Sequence, residues 1–381
     1  MKIGIITFHF VSNKGGVLQC FALQKYLNKL GHEVYIIDYR PKYHTVRYTT
    51  WKNPAIYTRW YWGKFRNKNL PTRLFYTAKS FARVMIMNIL QKDKKTAKLF
   101  SDFISKTLKL TTPYRSVQEL QSEPPAMDAY ISGSDQLWNP DILNQEFDSA
   151  YFLNFGKPST KRITYAVSIG KTPTKSELNQ ISQFCKKLDF ISLREQDQCV
   201  IDAIDKNVSI SLDPTLLLEA ADYKPIESTD SYKQPYIFVY GFETNLDMQN
   251  AVDAAVKKHH CRVINGSPDR IRLIQNTEKL ESYGPEHFLT LIKNADCVVT
   301  NSFHGTTFSI IYKKDFITIP HTTRGIRMVS LLEKLNLQKR LWGNEAFSLE
   351  SHIDYDDVFQ KLSLLQTESK QYLENALIEV K

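Results

Sequence analysis

The chain has 381 residues, of which 42 % are hydrophobic and 24 % charged, enough for two or three domains of about 150 residues and too apolar for a disordered chain. Its net charge of +10 is concentrated: residues 40–115 hold 18 Lys and Arg against two acids, Asp93 and Asp102, together with 14 aromatic residues including Trp51, Trp60 and Trp62. The remainder is therefore near −6 (10 − 16), which excludes a uniformly basic nucleic-acid binder and leaves one basic, aromatic insert facing a polyanionic surface.

The five cysteines, Cys20, Cys185, Cys199, Cys261 and Cys297, form no CxxC pair. Three of them sit in apolar runs, which favours reduced thiols in a cytosolic protein. The opening MKIGIITFHF lacks the form of a signal peptide. No run reaches the roughly 18 apolar residues of a membrane span. The reading is a soluble cytoplasmic chain, or one peripheral to the inner face of the plasma membrane.

The elements then follow in order. Lys2–Phe8 is a short apolar strand. Gly16–Leu30 has helical spacing, with Leu18, Ala22, Leu23, Tyr26, Leu27 and Leu30 on one face. Gly31 stops that helix, and Glu33–Asp38 is a second strand. Residues 40–115 break this rhythm and read as helices and loops inserted in the first domain. Strands return at Ala126–Ser132, Arg162–Ile169, Asp189–Leu193 and Val208–Leu212, the last running into Asp213-Pro214, read as a structural domain end. Glu219–Gln234 reads as a polar linker. A second alternation follows: strands at Pro235–Tyr240, Arg262–Ile264, Asp296–Thr300 and Phe316–Ile319, and helices at Pro285–Asn294, Thr306–Lys313 and Ile326–Leu335. The expected fold is α/β, with two Rossmann-like domains facing a cleft. The first spans 1–218 with the 40–115 insert and takes the acceptor. The second spans 235–345 and takes the donor. A helical segment, 346–381, packs back on the first. In such sheets ligands sit beyond the carboxyl ends of the strands.

The segment TNSFHGTTFSI at 300–310 is the strongest candidate site. A buried strand runs into a polar turn carrying Asn301, Ser302, His304 and Gly305, with Thr306 and Thr307 in the first helical turn. Unpaired N–H groups and the helix dipole favour an anion there. Gly305 admits close approach, the hydroxyls donate, and His304 offers a proton.

The blocks NKGGVLQCFALQKYL, ISGSDQLWNP, YAVSIG, ISLREQ, DPTLLL and TNSFHGTTFSIIYKKDF carry a resemblance. In order and spacing the chain resembles the polysaccharide pyruvyl transferase family over roughly residues 1–345. The resemblance implies two lobes in a GT-B-like arrangement. It implies transfer of a pyruvyl group from phosphoenolpyruvate to a pair of sugar hydroxyls, giving a cyclic ketal on a bacterial capsular, exopolysaccharide or cell-wall sugar. It also implies that an Arg-Leu-His-Gly turn and an upstream arginine hold the donor. His304 and Gly305 match that turn, Ser302-Phe303 stands in place of Arg-Leu, and Arg194 in SLREQ matches the upstream arginine. Arg324 and Arg327 are expected to supply the missing charge.

His304 and Asp135 are then the expected catalytic pair, His304 as proton donor or phosphate ligand and Asp135 as acceptor base or hydrogen-bond partner of a sugar hydroxyl. Arg194, Asn301, Ser302, Gly305, Thr306, Thr307, Arg324 and Arg327 would bind the donor. Asn13, Gly15, Gly16 and Gln19 of the NKGGVLQ loop would meet the acceptor, with Trp138 stacking on a sugar ring. Phosphoenolpyruvate is a co-substrate; the scheme calls for no cofactor and no metal, and His259-His260 has no third ligand nearby in sequence. The insert suits an acceptor carried on a lipid diphosphate at an anionic membrane face. Two alternatives share this fold: a GT-B glycosyltransferase using a nucleotide sugar, and a non-catalytic sugar- or polyanion-binding relative.

Overall fold

The computed structural model describes residues 1–43, 58–59, 62–63, 65–66, 68–90, 93–143, 145–230, 234–243, 245–268, 274–322 and 325–378. Trp51, Trp60 and Arg324 lie outside them.

In the first domain, β1 (Lys2–Ile6), α1 (Lys14–Lys29) and β2 (Glu33–Ile36) form the first crossover. The insert contributes α2 (Leu70–Leu90) and α3 (Asp93–Thr107), followed by α4 (Val117–Ser122). Strands β3 (Ala129–Ser132), β4 (Lys161–Thr164), β5 (Ile191–Leu193) and β6 (Val208–Ile210) complete the sheet, with α5 (Lys175–Cys185) and α6 (Gln198–Ala203) between them. The ladder runs β2-β1-β3-β4, all parallel, and bridges from Ile163 and Val167 carry it on to the β5-β6 pair.

After α7 (Ala220–Tyr223), the second domain runs β7 (Tyr236–Tyr240), α8 (Leu246–His259), β8 (Arg262–Asn265), β9 (Glu278–Lys279) and α9 (Pro285–Asn294). It continues with β10 (Cys297–Thr300), α10 (Phe303–Ile311), β11 (Asp315–Thr318) and α11 (Ile326–Lys334). Its sheet, β11-β10-β7-β8-β9, is also wholly parallel. Central strands such as Tyr236–Tyr240 are buried along their length, because helices cover both faces of a parallel sheet. Two Rossmann-like domains thus face each other in a GT-B-like arrangement.

Strand order reverses between β1 and β3 in one domain and between β7 and β10 in the other. A crevice opens at each reversal, beyond the strands' carboxyl ends. The Asn13–Gly16 and Gly133–Asp135 turns leave from the first crevice, and the Asn301–Gly305 turn from the second.

An apolar seam joins the domains. Tyr223, within the expected polar linker, is buried between Phe21 of α1 at 6.1 Å and Phe308 of α10 at 5.0 Å, ring centre to ring centre. The last helix, α12 (Tyr355–Ile378), crosses back onto the first domain. Lys161 Nζ donates to the Leu377 carbonyl at 2.8 Å, and the Leu212 amide donates to Ser369 Oγ at 3.0 Å. All five cysteines are free. Among the described residues no helix is long and apolar enough to cross a membrane.

Candidate functional site

The two crevices meet at Gly15 and His304. A Cβ on Gly15 would lie 2.0 Å from His304 Nδ1, so only glycine lets the imidazole lie against the first turn of α1. Alanine otherwise favours a helix by about 1 kcal/mol. Gly15→Ala is therefore expected to displace His304 and lower turnover about tenfold or more, with little gain in melting temperature. Unchanged turnover in that variant would separate this contact from the chemistry.

His304 Nε2 lies 3.6 Å from Asp213 Oδ2. Asp213 is fully buried and is the hub of the site. Its Oδ2 accepts from Arg194 Nη1 at 2.8 Å and Ser134 Oγ at 3.1 Å. Its Oδ1 accepts the amide and hydroxyl of Thr215 at 3.0 and 2.7 Å. Burial alone would push its carboxyl up, but the His304 ring, the Arg194 guanidinium and the Thr215 amide hold it well below the usual carboxylate range. The residue read as a domain end thus ties both crevices together.

Arg194, at the carboxyl end of β5, stands among three acids. Besides Asp213 it has Glu195 Oε1 at 3.5 Å and Asp135 Oδ1 at 3.7 Å. Asp135 has φ 93°, a strained region for a side-chain-bearing residue. The turn is pinned by Asp135 Oδ1 accepting the Gln136 amide at 2.8 Å. The Nε and Nη2 of Arg194 and the Nε2 of His304 are buried and without a hydrogen-bond partner among the described residues.

A cavity of about 820 Å³ opens beside this cluster. Arg194, Asp213, Glu195 and Phe303 line its inner end, Arg327 of α11 one wall, and α12 another. Two guanidinium carbons approach the Phe303 ring, Arg194 at 5.1 Å and Arg327 at 5.8 Å from its centre. Arg327 Nε is also 3.6 Å from Glu195 Oε1. Arg194 and Arg327, two of the cations expected at the donor site, are thus met by carboxylates before any ligand arrives.

The turn itself departs from expectation, because α10 begins at Phe303 and not at Thr306. Ser302 Oγ caps the Gly305 amide at 3.4 Å, and the Thr306 amide bonds the Ser302 carbonyl at 3.0 Å. The Thr306 hydroxyl pairs with that of Thr318 at 2.9 Å, and the Thr307 hydroxyl donates to the His304 carbonyl at 3.2 Å. Asn301 is engaged at both ends, accepting the Phe242 amide and donating to the Glu243 carbonyl at 2.7 and 3.0 Å. A Cβ on Gly305 would meet Thr300 Oγ1 at 2.2 Å, so its glycine serves packing. Asn301, Ser302, Gly305, Thr306 and Thr307 are therefore structural, and His304 alone of that group faces the other domain.

Two acceptor-side expectations also change. Trp138 is fully buried, stacked on Phe152 at 4.6 Å, with Nε1 donating to the Tyr151 carbonyl. No ring face remains for a sugar. Gln19 is fully buried and donates inward to Thr7 Oγ1 and the Gly16 carbonyl. Asn13 caps α1 by accepting the Gly16 amide at 3.2 Å. Gly16 stays by the site, since its Cβ position would be 3.6 Å from Asp135 Oδ2.

Sequence reasoning missed Lys14. Its side chain is buried with Nζ 3.8 Å from the Tyr283 ring centre, 5.7 Å from Tyr240 and 5.9 Å from Phe100. No ion pair reaches it among the described residues, and burial pushes its amine down to about 7. The folded chain thus releases a proton near pH 7 that the unfolded chain holds to about pH 10. Stability should rise with pH across that window, by at most about 1.4 kcal/mol per unit. Lys14→Met should flatten this rise in urea unfolding at about pH 7 and about pH 10; an unchanged slope would assign it to other groups.

His259 gains the neighbours its sequence context lacks: its ligand atom and those of Cys297 and Asp315 lie within 4.8 Å of one another. Asp315 is already paired with Lys258 at 2.8 Å and Arg340 at 3.0 Å. The cluster is therefore an ion-pair network on the far side of the second sheet.

A family model described as polysaccharide pyruvyl transferase matches residues 13–323. No curated protein matches the chain. Among solved structures, the chain is similar to the UDP-GlcNAc 2-epimerase of Methanocaldococcus jannaschii in complex with UDP-GlcNAc and UDP, at 11 % identity and a TM-score of 0.49 over 100 % of both chains. It is similar to the UDP-GlcNAc 2-epimerase of Neisseria meningitidis bound to UDP-GlcNAc, at 10 % identity and 0.41, over 100 % of this chain and 95 % of that one. A Streptomyces glycosyltransferase complexed with thymidine diphosphate is 11 % identical, with a TM-score of 0.40 over 98 % of each chain.

Proposed function

The chain belongs to the polysaccharide pyruvyl transferase family, and on that premise we propose that it transfers the pyruvyl group of phosphoenolpyruvate to two hydroxyls of a surface-polysaccharide sugar. The observation that carries this reading is the set of buried N–H groups that face carboxylates at 3.5–3.7 Å but make no hydrogen bond among the described residues, Arg194 Nε and Nη2 and His304 Nε2, at the meeting of the two crevices. Buried donors are satisfied in nearly every native protein, so a ligand rich in acceptor oxygens is the natural partner.

In this scheme the donor's carboxylate and phosphate lie between Arg194 and Arg327, displacing Glu195 from their guanidinium groups. His304, held beside Asp213, gives its proton to the methylene carbon. Asp135 takes the proton of the first attacking hydroxyl, whose oxygen bonds to the carbon that bore the phosphate. The second hydroxyl then replaces the phosphate, which leaves with that hydroxyl's proton. One ketal and one inorganic phosphate result from each donor. The acceptor is a sugar or its lipid-linked precursor, met at the cytoplasmic membrane face, with the basic insert toward anionic headgroups.

Calorimetry with phosphoenolpyruvate tests the donor assignment. The native chain should bind it. Arg194→Lys keeps a charge opposite Asp213 but loses the planar fork, and should weaken binding about tenfold or more. Equal binding by that variant and by His304→Ala would overturn the assignment.

A further inference from the structure

Helix α2 is built inside out. The small polar residues Thr77 and Ser80, each 7 % exposed, face the protein together with Val84, while Phe75 is 61 % exposed and Leu74 54 %. Leu70, Phe81 and Met85 are exposed as well. Leu70, Leu74, Phe81 and Met85 recur at spacings of four, seven and four, which makes one continuous apolar stripe. An ordinary surface helix turns such a stripe toward the core. Here the core contact belongs to the next helix: Phe100, Phe103 and Ile104 of α3 are buried. The hairpin is therefore anchored through α3 and carries α2 outside it.

The charge around the stripe selects its partner. Leu70–Leu90 contains no acid. Arg66, Lys68 and Lys79 are exposed on or just before α2, as are Lys94 and Lys95 at the start of α3. A second copy of the chain would set these cations against themselves. An anionic bilayer offers headgroups for the cations and an acyl boundary for Leu74 and Phe81. The helix is not long and apolar enough to cross a membrane, so a bilayer would take it only in the interface plane.

We propose that the outward stripe of α2 is a membrane-docking face, inserted among anionic lipids to bring the cleft to a lipid-linked acceptor. This deepens the membrane placement given above and is independent of the donor. Failure of phosphoenolpyruvate chemistry would leave it standing, and failure of docking would leave the chemistry standing.

Flotation of the full chain with vesicles tests it. Vesicles of phosphatidylcholine with phosphatidylglycerol should carry the protein, and pure phosphatidylcholine vesicles should carry far less. Leu74→Asp with Phe81→Asp should cut binding to the anionic vesicles about tenfold or more, while melting temperature and turnover of a soluble acceptor stay unchanged. Absence of native binding to the anionic vesicles would overturn the proposal, as would equal binding by the double variant. So would a solution dimer that the double variant dissociates.

Discussion

Asp213→Ala is expected to cost about 3–5 kcal/mol of stability, because it leaves Arg194 buried without its closest counter-charge. The loss should appear as a lower urea midpoint, together with loss of turnover. Asp213→Asn separates the two effects. It retains an oxygen for the Thr215 amide but turns a neutral group toward Arg194 and His304. It should fold with a smaller loss and still be nearly inactive. The pH dependence follows from the depressed carboxyl. Its contribution is complete above the unfolded value of about 3.9 and drains as pH falls further toward the folded value. Asp213→Asn should therefore unfold in acid with a shallower limb than the native chain. Native-like stability in Asp213→Ala would show that the hub carries no weight.

His304→Ala is expected to lower turnover by about 10²–10⁴, the usual worth of a positioned acid, with a smaller loss of stability than Asp213→Ala. The ring is largely enclosed and makes no hydrogen bond among the described residues, so its removal costs chiefly the 3.6 Å approach to the Asp213 carboxylate. Phosphate release from phosphoenolpyruvate with a sugar acceptor is the readout. His304 and Asp213 act as one unit here. The double variant His304→Ala with Asp213→Asn should then be scarcely slower than either single one. Independent, multiplying losses would divide the pair.

Some of this site was legible from the sequence. Strands such as Tyr236–Tyr240 are short unbroken apolar runs because both faces are covered, and they alternate with helices, which specifies a parallel sheet. That pattern located the turns after β1, β3 and β10, and with them Gly15, Asp135 and His304. Helix boundaries were harder. Gly305 looks like a breaker, yet it sits inside α10 because its missing side chain lets Thr300 pack against the helix. Once the helix starts at Phe303, Ser302 is its cap, and the amides expected for an anion are already bonded.

Other roles depended on contacts that no local pattern encodes. Asp213 draws its partners from Ser134, Arg194 and His304, which lie on three separate segments. Trp138 follows a polar loop that suggests exposure, but it is buried at one end of a three-ring stack, on Phe152, which in turn stacks on Phe184. The basic insert was visible as composition. Its apolar stripe pointing away from the core was not, since periodicity gives the width of a face and not its direction.

The central claim is ketal formation from phosphoenolpyruvate, and the product of a defined reaction tests it most directly. The full chain would be incubated with phosphoenolpyruvate and a panel of sugar acceptors, and the sugars weighed by mass spectrometry alongside phosphate release. The account predicts an acceptor heavier by one pyruvate less one water, with one phosphate released for each ketal. Phosphate release with no change in any sugar's mass would contradict it, as would nucleoside diphosphate released from a sugar nucleotide while phosphoenolpyruvate stays intact.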